Sequence, residues 1–226
     1  MEHVKTLIQS KFKSLSLVTL ALAFSALALM IRMKLNKSFF FLFLIWNIFL
    51  AIIPFAITMY LNTKPNLSRL KLAIWFVIWL AFLPNTPYIV TDLIHLKEST
   101  YHLMWLDILV VLSFAMSGLF LFYLSVLDMQ RLISQKFKRI SISFVTISLM
   151  FLCGFGVYLG RFLRYNSWEI LSQPQNLFLD IIDMIIFPMQ HTGAWLFTLG
   201  FGSFLLVGYC FFKAFTLNHP HNPEDS

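Results

Sequence analysis

Asp92 and His95 stand three residues apart in the stretch 82–96, FLPNTPYIVTDLIHL. On a helix that spacing sets a carboxylate and an imidazole on one face, where they can share a proton or a metal ion. His95 would be the catalytic base, oriented by Asp92 or by Asp107 at the start of the next apolar run. One His with two carboxylates suits zinc or manganese. Nothing like HExxH fixes a third ligand, however, so the residues assign no metal and imply no cofactor. A second polar stretch, 158–171 YLGRFLRYNSWEIL, carries Arg161 and Arg164 one helical turn apart. Two guanidinium groups on one face can clamp a phosphate in bidentate fashion. With Asn85, Asn166 and Glu169, these residues make up a candidate polar pocket: Asp92 and His95 catalytic; Asn85, Asp107, Arg161, Arg164, Asn166 and Glu169 substrate-binding.

Each of these residues also has a plainer reading. Asp92 would cap the helix that follows a proline break, and His95 would sit in a wet interface. The arginines would snorkel to headgroups or pair with Asp92, Asp107, Glu169 or Asp180. Asn85 would satisfy backbone groups freed by Pro84 and Pro87. Tyr88, Trp105 and Trp168 read as aromatic-belt anchors.

The elements that must carry these residues are membrane spans. Of 226 residues, 59% are hydrophobic and 12% charged, with a mean hydropathy of +0.78; a soluble domain carries roughly 25% charged residues. The net charge of +7 comes from Lys and Arg in short loops between apolar runs. That is the pattern of positive-inside topology and contact with anionic membrane lipids, not of nucleic-acid binding. Cys153 and Cys210 both fall within apolar runs and form neither a disulfide framework nor a CxxC pair.

The expected organisation is all-α and integral to a membrane. A basic segment, 1–13, precedes a six-helix transmembrane domain over 14–217, with spans at 15–31, 39–61, 67–83, 104–127, 140–160 and 194–217. A polar tail, 218–226, is expected to be disordered. The first span reads as an uncleaved anchor, because Ala26-Leu27-Ala28 is followed by more apolar residues and then at once by another span. Pro54 lies within the second span. The third ends at Pro84 after about 17 residues, roughly 26 Å and just short of the bilayer core, so a broken helix is expected there. Beyond it, Asp92, His95, Ser99 and His102 would share a helix face. Residues 128–139 read as a basic loop. Gly156-x-x-x-Gly160 is a small-residue ridge suited to close helix approach. Asn166 with Glu169 resembles a capping box. A helix near 175–187 is too short to span and reads as interfacial.

With six spans, one side of the membrane collects 11 Lys and Arg and the other 6. The larger count marks the cytoplasm, which places both termini there. The two polar stretches then emerge together on the outer face.

Those two stretches, PNTPY-IVTDLIHL and GRFLRYNSW, resemble the bacterial multi-pass membrane family catalogued as domain of unknown function 1361, over roughly residues 67–200. The resemblance implies a bacterial cytoplasmic-membrane protein of no established activity and picks out Pro84, Asn85, Pro87, Tyr88, Thr91, Asp92, His95 and Leu96 in the first stretch. In the second it picks out Gly160, Arg161, Arg164, Asn166, Ser167 and Trp168. Thr86 and Glu169 depart mildly from its pattern. The order Cys153, Arg161, Arg164, His191 is also similar to the Cys, Arg, His order of exosortase-type transpeptidases, but the resemblance implies Cys and Arg on separate helices, and here Cys153 and Arg161 would stand on one helix about 12 Å apart. The leading expectation is an extracytoplasmic pocket that binds, and in an enzyme would process, a phosphate-bearing lipid or glycolipid. The alternatives are a small transporter built on the broken third helix and a structural or assembly protein without chemistry. The residues do not decide whether the protein is an enzyme.

Overall fold

The computed structural model describes residues 11–64, 67–99, 101–165 and 174–217. Among them the regular structure is entirely helical, and six segments are long and apolar enough to cross a membrane. In order these are α1 (Phe12–Asn36), a 3₁₀ turn (Phe40–Leu42) leading into α2 (Phe43–Asn62), and α3 (Arg69–Phe82). Next come the single turn α4 (Asn85–Tyr88), a 3₁₀ segment (Ile89–Glu98) and a second 3₁₀ turn (Tyr101–Leu103). The chain continues through α5 (Met104–Lys136), α6 (Ile142–Arg161), the short α7 (Pro174–Ile186) and α8 (Thr192–Leu217). Large apolar side chains such as Leu20, Phe49, Val77, Phe144, Leu196 and Val207 point outward, away from the protein interior, as lipid-facing positions do.

Helix α5 is the axis of the bundle, with 56% of its most apolar window buried against 22–39% in the other spans. One core cluster joins it to α1 and α2 through Ala28, Leu44, Ala51, Val110 and Phe114. A second joins it to α3, α6 and α8 through Leu72, Trp79, Phe122, Met150 and Leu205. Some mid-membrane hydroxyls bond within the protein: Ser25 meets Ser117 at 3.3 Å, and the Trp79 indole donates to Ser125 at 2.8 Å.

Two helices run longer than their apolar stretches. Helix α5 continues to Lys136, so most of the basic loop expected at 128–139 is helix. Asp128, Met129, Gln130, Leu132 and Ile133 are buried along this extension. Gln130 donates to Thr146 on α6 (2.5 Å) and accepts from Tyr209 on α8 (2.7 Å), and Asp128 is ion-paired with Lys11. Tertiary partners make these polar residues interior. Helix α1 likewise runs through Arg32 and Lys34 to Asn36, and ends at Lys37 in a left-handed conformation (φ 46°).

The α-helical hydrogen-bond pattern of the third span stops at Phe82. Pro84 and Pro87 each lack an N–H, so carbonyls one turn earlier lose their partners. Local donors fill part of the gap: the Thr86 N–H (3.1 Å) and hydroxyl both reach the Leu83 carbonyl that Pro87 cannot serve, and the Asn85 amide donates to the neighbouring Phe82 carbonyl at 3.0 Å. This segment is clamped by glycines. A Cβ at Gly118 on α5 would stand 2.6 Å from the Thr86 carbonyl, and one at Gly160 on α6 would stand 3.3 Å from the Tyr88 ring. The Gly156-x-x-x-Gly160 ridge is therefore a packing seam that holds Pro84 and Tyr88.

Candidate functional site

The glycine seam brings the C-terminal end of α6 against the 3₁₀ segment, and Arg161, the last residue of α6, folds over that segment. Its Nε donates to the Thr91 hydroxyl at 2.8 Å, its Nη2 pairs with Asp92, and its Nη1 lies 3.3 Å from His95 Nε2. The guanidinium also sits 4.3 Å above the Tyr88 ring, a cation–π stack. Asp92 is buried and takes a second bond on its other oxygen from the Asn47 amide of α2, at 2.7 Å. Phe43 packs edge-on against the His95 ring, with centroids 4.9 Å apart. Three elements, α2, the 3₁₀ segment and α6, thus converge on one polar cluster at one end of the bundle.

The 3₁₀ geometry explains which residues meet. At three residues per turn, Ile89, Asp92, His95 and Glu98 fall in one row. Ser99 is extended (ψ 140°) and ends the segment. The expected shared face of Asp92, His95, Ser99 and His102 is therefore not formed, since His102 belongs to a separate turn.

Other expected members stand elsewhere. Asp107 does not join His95. It is fully buried in the first turn of α5 and bound by Arg32, with Nε–Oδ1 at 2.7 Å and Nη2–Oδ2 at 3.5 Å. Arg32 also donates to the Ser38 carbonyl at 3.1 Å and lies 4.6 Å over the Phe41 ring. Among the described residues neither Asp92 nor Asp107 bonds to His95; Arg161 does.

Nor do Arg161 and Arg164 share a helix face. Helix α6 stops at Arg161, and Arg164 adopts a left-handed φ of 62° that returns the Tyr165 N–H to the Leu159 carbonyl at 3.1 Å. Arg164 is exposed. The Asn85 amide bonds to the Phe82 carbonyl, and Asn166, Trp168 and Glu169 lie outside the described residues. Tyr88 is a platform for Arg161, and Trp105 is 62% exposed.

Cys153 is fully buried in the apolar core, and His191 is hydrogen-bonded to Asp183 at 2.7 Å. The transpeptidase-like order thus places no Cys, Arg and His together. Among the described residues no group of three His, Cys, Asp or Glu side chains gathers as metal ligands would.

Two partners escaped sequence reasoning. Arg32 looks like a loop cation because the apolar run ends at Ile31. Asn47 looks like an incidental polar residue in the second span, although one Asn inside an uncharged membrane helix signals a hydrogen-bond partner.

No curated protein and no solved structure matches the chain. The family model described as "Protein of unknown function (DUF1361)" matches residues 46–207, a range that contains Asn47, the whole 3₁₀ segment and Arg161. The chain, a multi-pass helical membrane protein, belongs to that family.

Proposed function

We propose that the Arg161–His95 cluster is a recognition site for a phosphate-bearing lipid or glycolipid at the outer face of a bacterial cytoplasmic membrane. The observation that carries the reading is a surplus of donors. A guanidinium has five N–H groups and accepts nothing. Arg161 commits one each to Thr91, Asp92 and His95, which leaves two. Arg161 can only donate, so in its contact with His95 the Nε2 atom is the accepting side. A half-buried cluster with donors to spare, at a helix end beside lipid-facing apolar residues, suits an anionic oxygen. It does not suit base catalysis at His95 Nε2, whose lone pair is already taken.

The positive-inside reading supports the outer placement. One side collects 11 Lys and Arg and the other 6, and the side with fewer, which carries Arg161, is the outer one.

Lipid mass spectrometry on the purified full chain tests the proposal. The wild type should retain a phosphate-bearing lipid that His95→Ala and Arg161→Lys lose, with both variants still folded. Equal retention by all three would remove the basis of the reading. A second reading is favoured by the near-complete burial of Asp92: the cluster is a fastener that ties α2, the 3₁₀ segment and α6 together. It predicts loss of stability in these variants without change in bound lipid.

A further inference from the structure

At the opposite end of the bundle, the start of α3 and the α5–α6 connection border an open cavity of about 500 Å³ lined by Arg69, Lys136, Phe137, Lys138, Arg139 and Ile140. Four of these residues are cations and none of the cavity's lining residues is acidic. The nearest acid along the chain, Asp128, is already paired with Lys11. Arg69, Lys138 and Arg139 are exposed, and Arg69 leans over the Phe137 ring at 5.8 Å. Helices α3 and α6 also begin here, capped by Ser68 and Ser141, so the positive ends of two helix dipoles add to the field.

The surroundings are apolar on the membrane side. Ile140 is 44% exposed, Phe144 one turn further along 71%, and on α3 Leu70 and Ile74 are 72% and 53% exposed. A free anion would use only the cationic floor. A molecule with an anionic head and hydrocarbon tails would use the floor and both outward faces, as lipids do in basic pockets at the cytoplasmic ends of membrane helices.

We propose that this cleft binds the phosphate of an anionic membrane lipid, with the acyl chains running along α3 and α6. The site is separate from the Arg161 cluster and does not depend on its role.

The test reconstitutes the full chain in phosphatidylcholine nanodiscs with trace labelled phosphatidylglycerol and measures the label retained per protein. Arg69→Gln/Lys138→Gln/Arg139→Gln should lower retention on the order of tenfold. The control Lys71→Gln/Arg131→Gln/Lys213→Gln removes the same net charge from exposed positions outside the cleft and should stay within about twofold of wild type. Raising the salt concentration should weaken the wild-type interaction, and millimolar inorganic phosphate should not displace the lipid. If the two triple variants behave alike, retention reflects bulk charge and the site is overturned. Full displacement by inorganic phosphate would overturn the lipid assignment in favour of a free-phosphate site.

Discussion

Pro84 occupies the groove left by Gly156: a Cβ built at Gly156 would lie 2.6 Å from Pro84 Cγ and 2.9 Å from its Cβ. Neither partner is a flexible chain end, so a methyl group there must move helix backbone.

Gly156→Ala and Gly118→Ala should therefore each destabilise the protein by about 1–3 kcal/mol. Gly118 is the stricter case, because its added carbon would meet the Thr86 backbone oxygen. Gly200→Ala has open space around it and should be neutral or stabilising by about 0.5–1 kcal/mol, from helix propensity alone. Thermal unfolding in detergent checks the contrast; equal effects at Gly118 and Gly200 would remove the clamp.

Asp107→Ala should cost about 3–5 kcal/mol, because it leaves the buried Arg32 cation without a counter-charge. Arg32→Leu/Asp107→Leu should recover most of the loss, since a well-packed apolar pair often matches a buried ion pair. A double variant as unstable as the single one would mean that Arg32 is needed for its contacts with the Ser38 carbonyl and the Phe41 ring.

Asp92→Asn and Asn47→Leu act on the same carboxylate from opposite sides and should not be additive. Asp92→Asn removes the charge partner of Arg161, with an expected cost of about 3 kcal/mol. Asn47→Leu removes one hydrogen bond to a charged group, about 1.5–3 kcal/mol. A double-mutant cycle on unfolding midpoints measures the coupling, and additivity would argue that the two contacts are independent.

Orientation is accessible to single-cysteine labelling. In a Cys153→Ala/Cys210→Ala background, Tyr101→Cys should react with a membrane-impermeant maleimide on intact cells. Lys138→Cys should react only after permeabilisation. Tyr101 is 87% exposed and Lys138 is exposed, so access within the protein does not limit either reaction. The reverse pattern would invert the assignment of the termini.

The spans were legible because each buries or presents a run of apolar residues long enough to cross hydrocarbon, a property of composition that packing does not alter. Part of the cluster was legible too. An odd number of crossings separates the two polar stretches from the intervening loop, so Asp92, His95 and Arg161 had to share an end of the bundle. Which side chains meet was not legible, because it depends on local geometry. Beyond the two prolines the segment Ile89–Glu98 runs as a 3₁₀ helix, which changes the row of facing residues, and a left-handed Arg164 swings the second arginine away. Arg32 was hidden for a different reason: its charge is neutralised by a residue on a distant helix, and no local pattern records such a partner.

That distance also sets a clock. Arg32 is synthesised 75 residues before Asp107, which at about 5–20 residues per second is a delay of roughly 4–15 s. During that interval the first helix holds a cation with no counter-ion, and its long side chain must reach back to the headgroups. Seating of α1 is thus postponed until α5 begins to emerge. A chain interrupted between these two helices would carry an exposed arginine at the membrane surface, a mark by which an unfinished protein differs from a finished one.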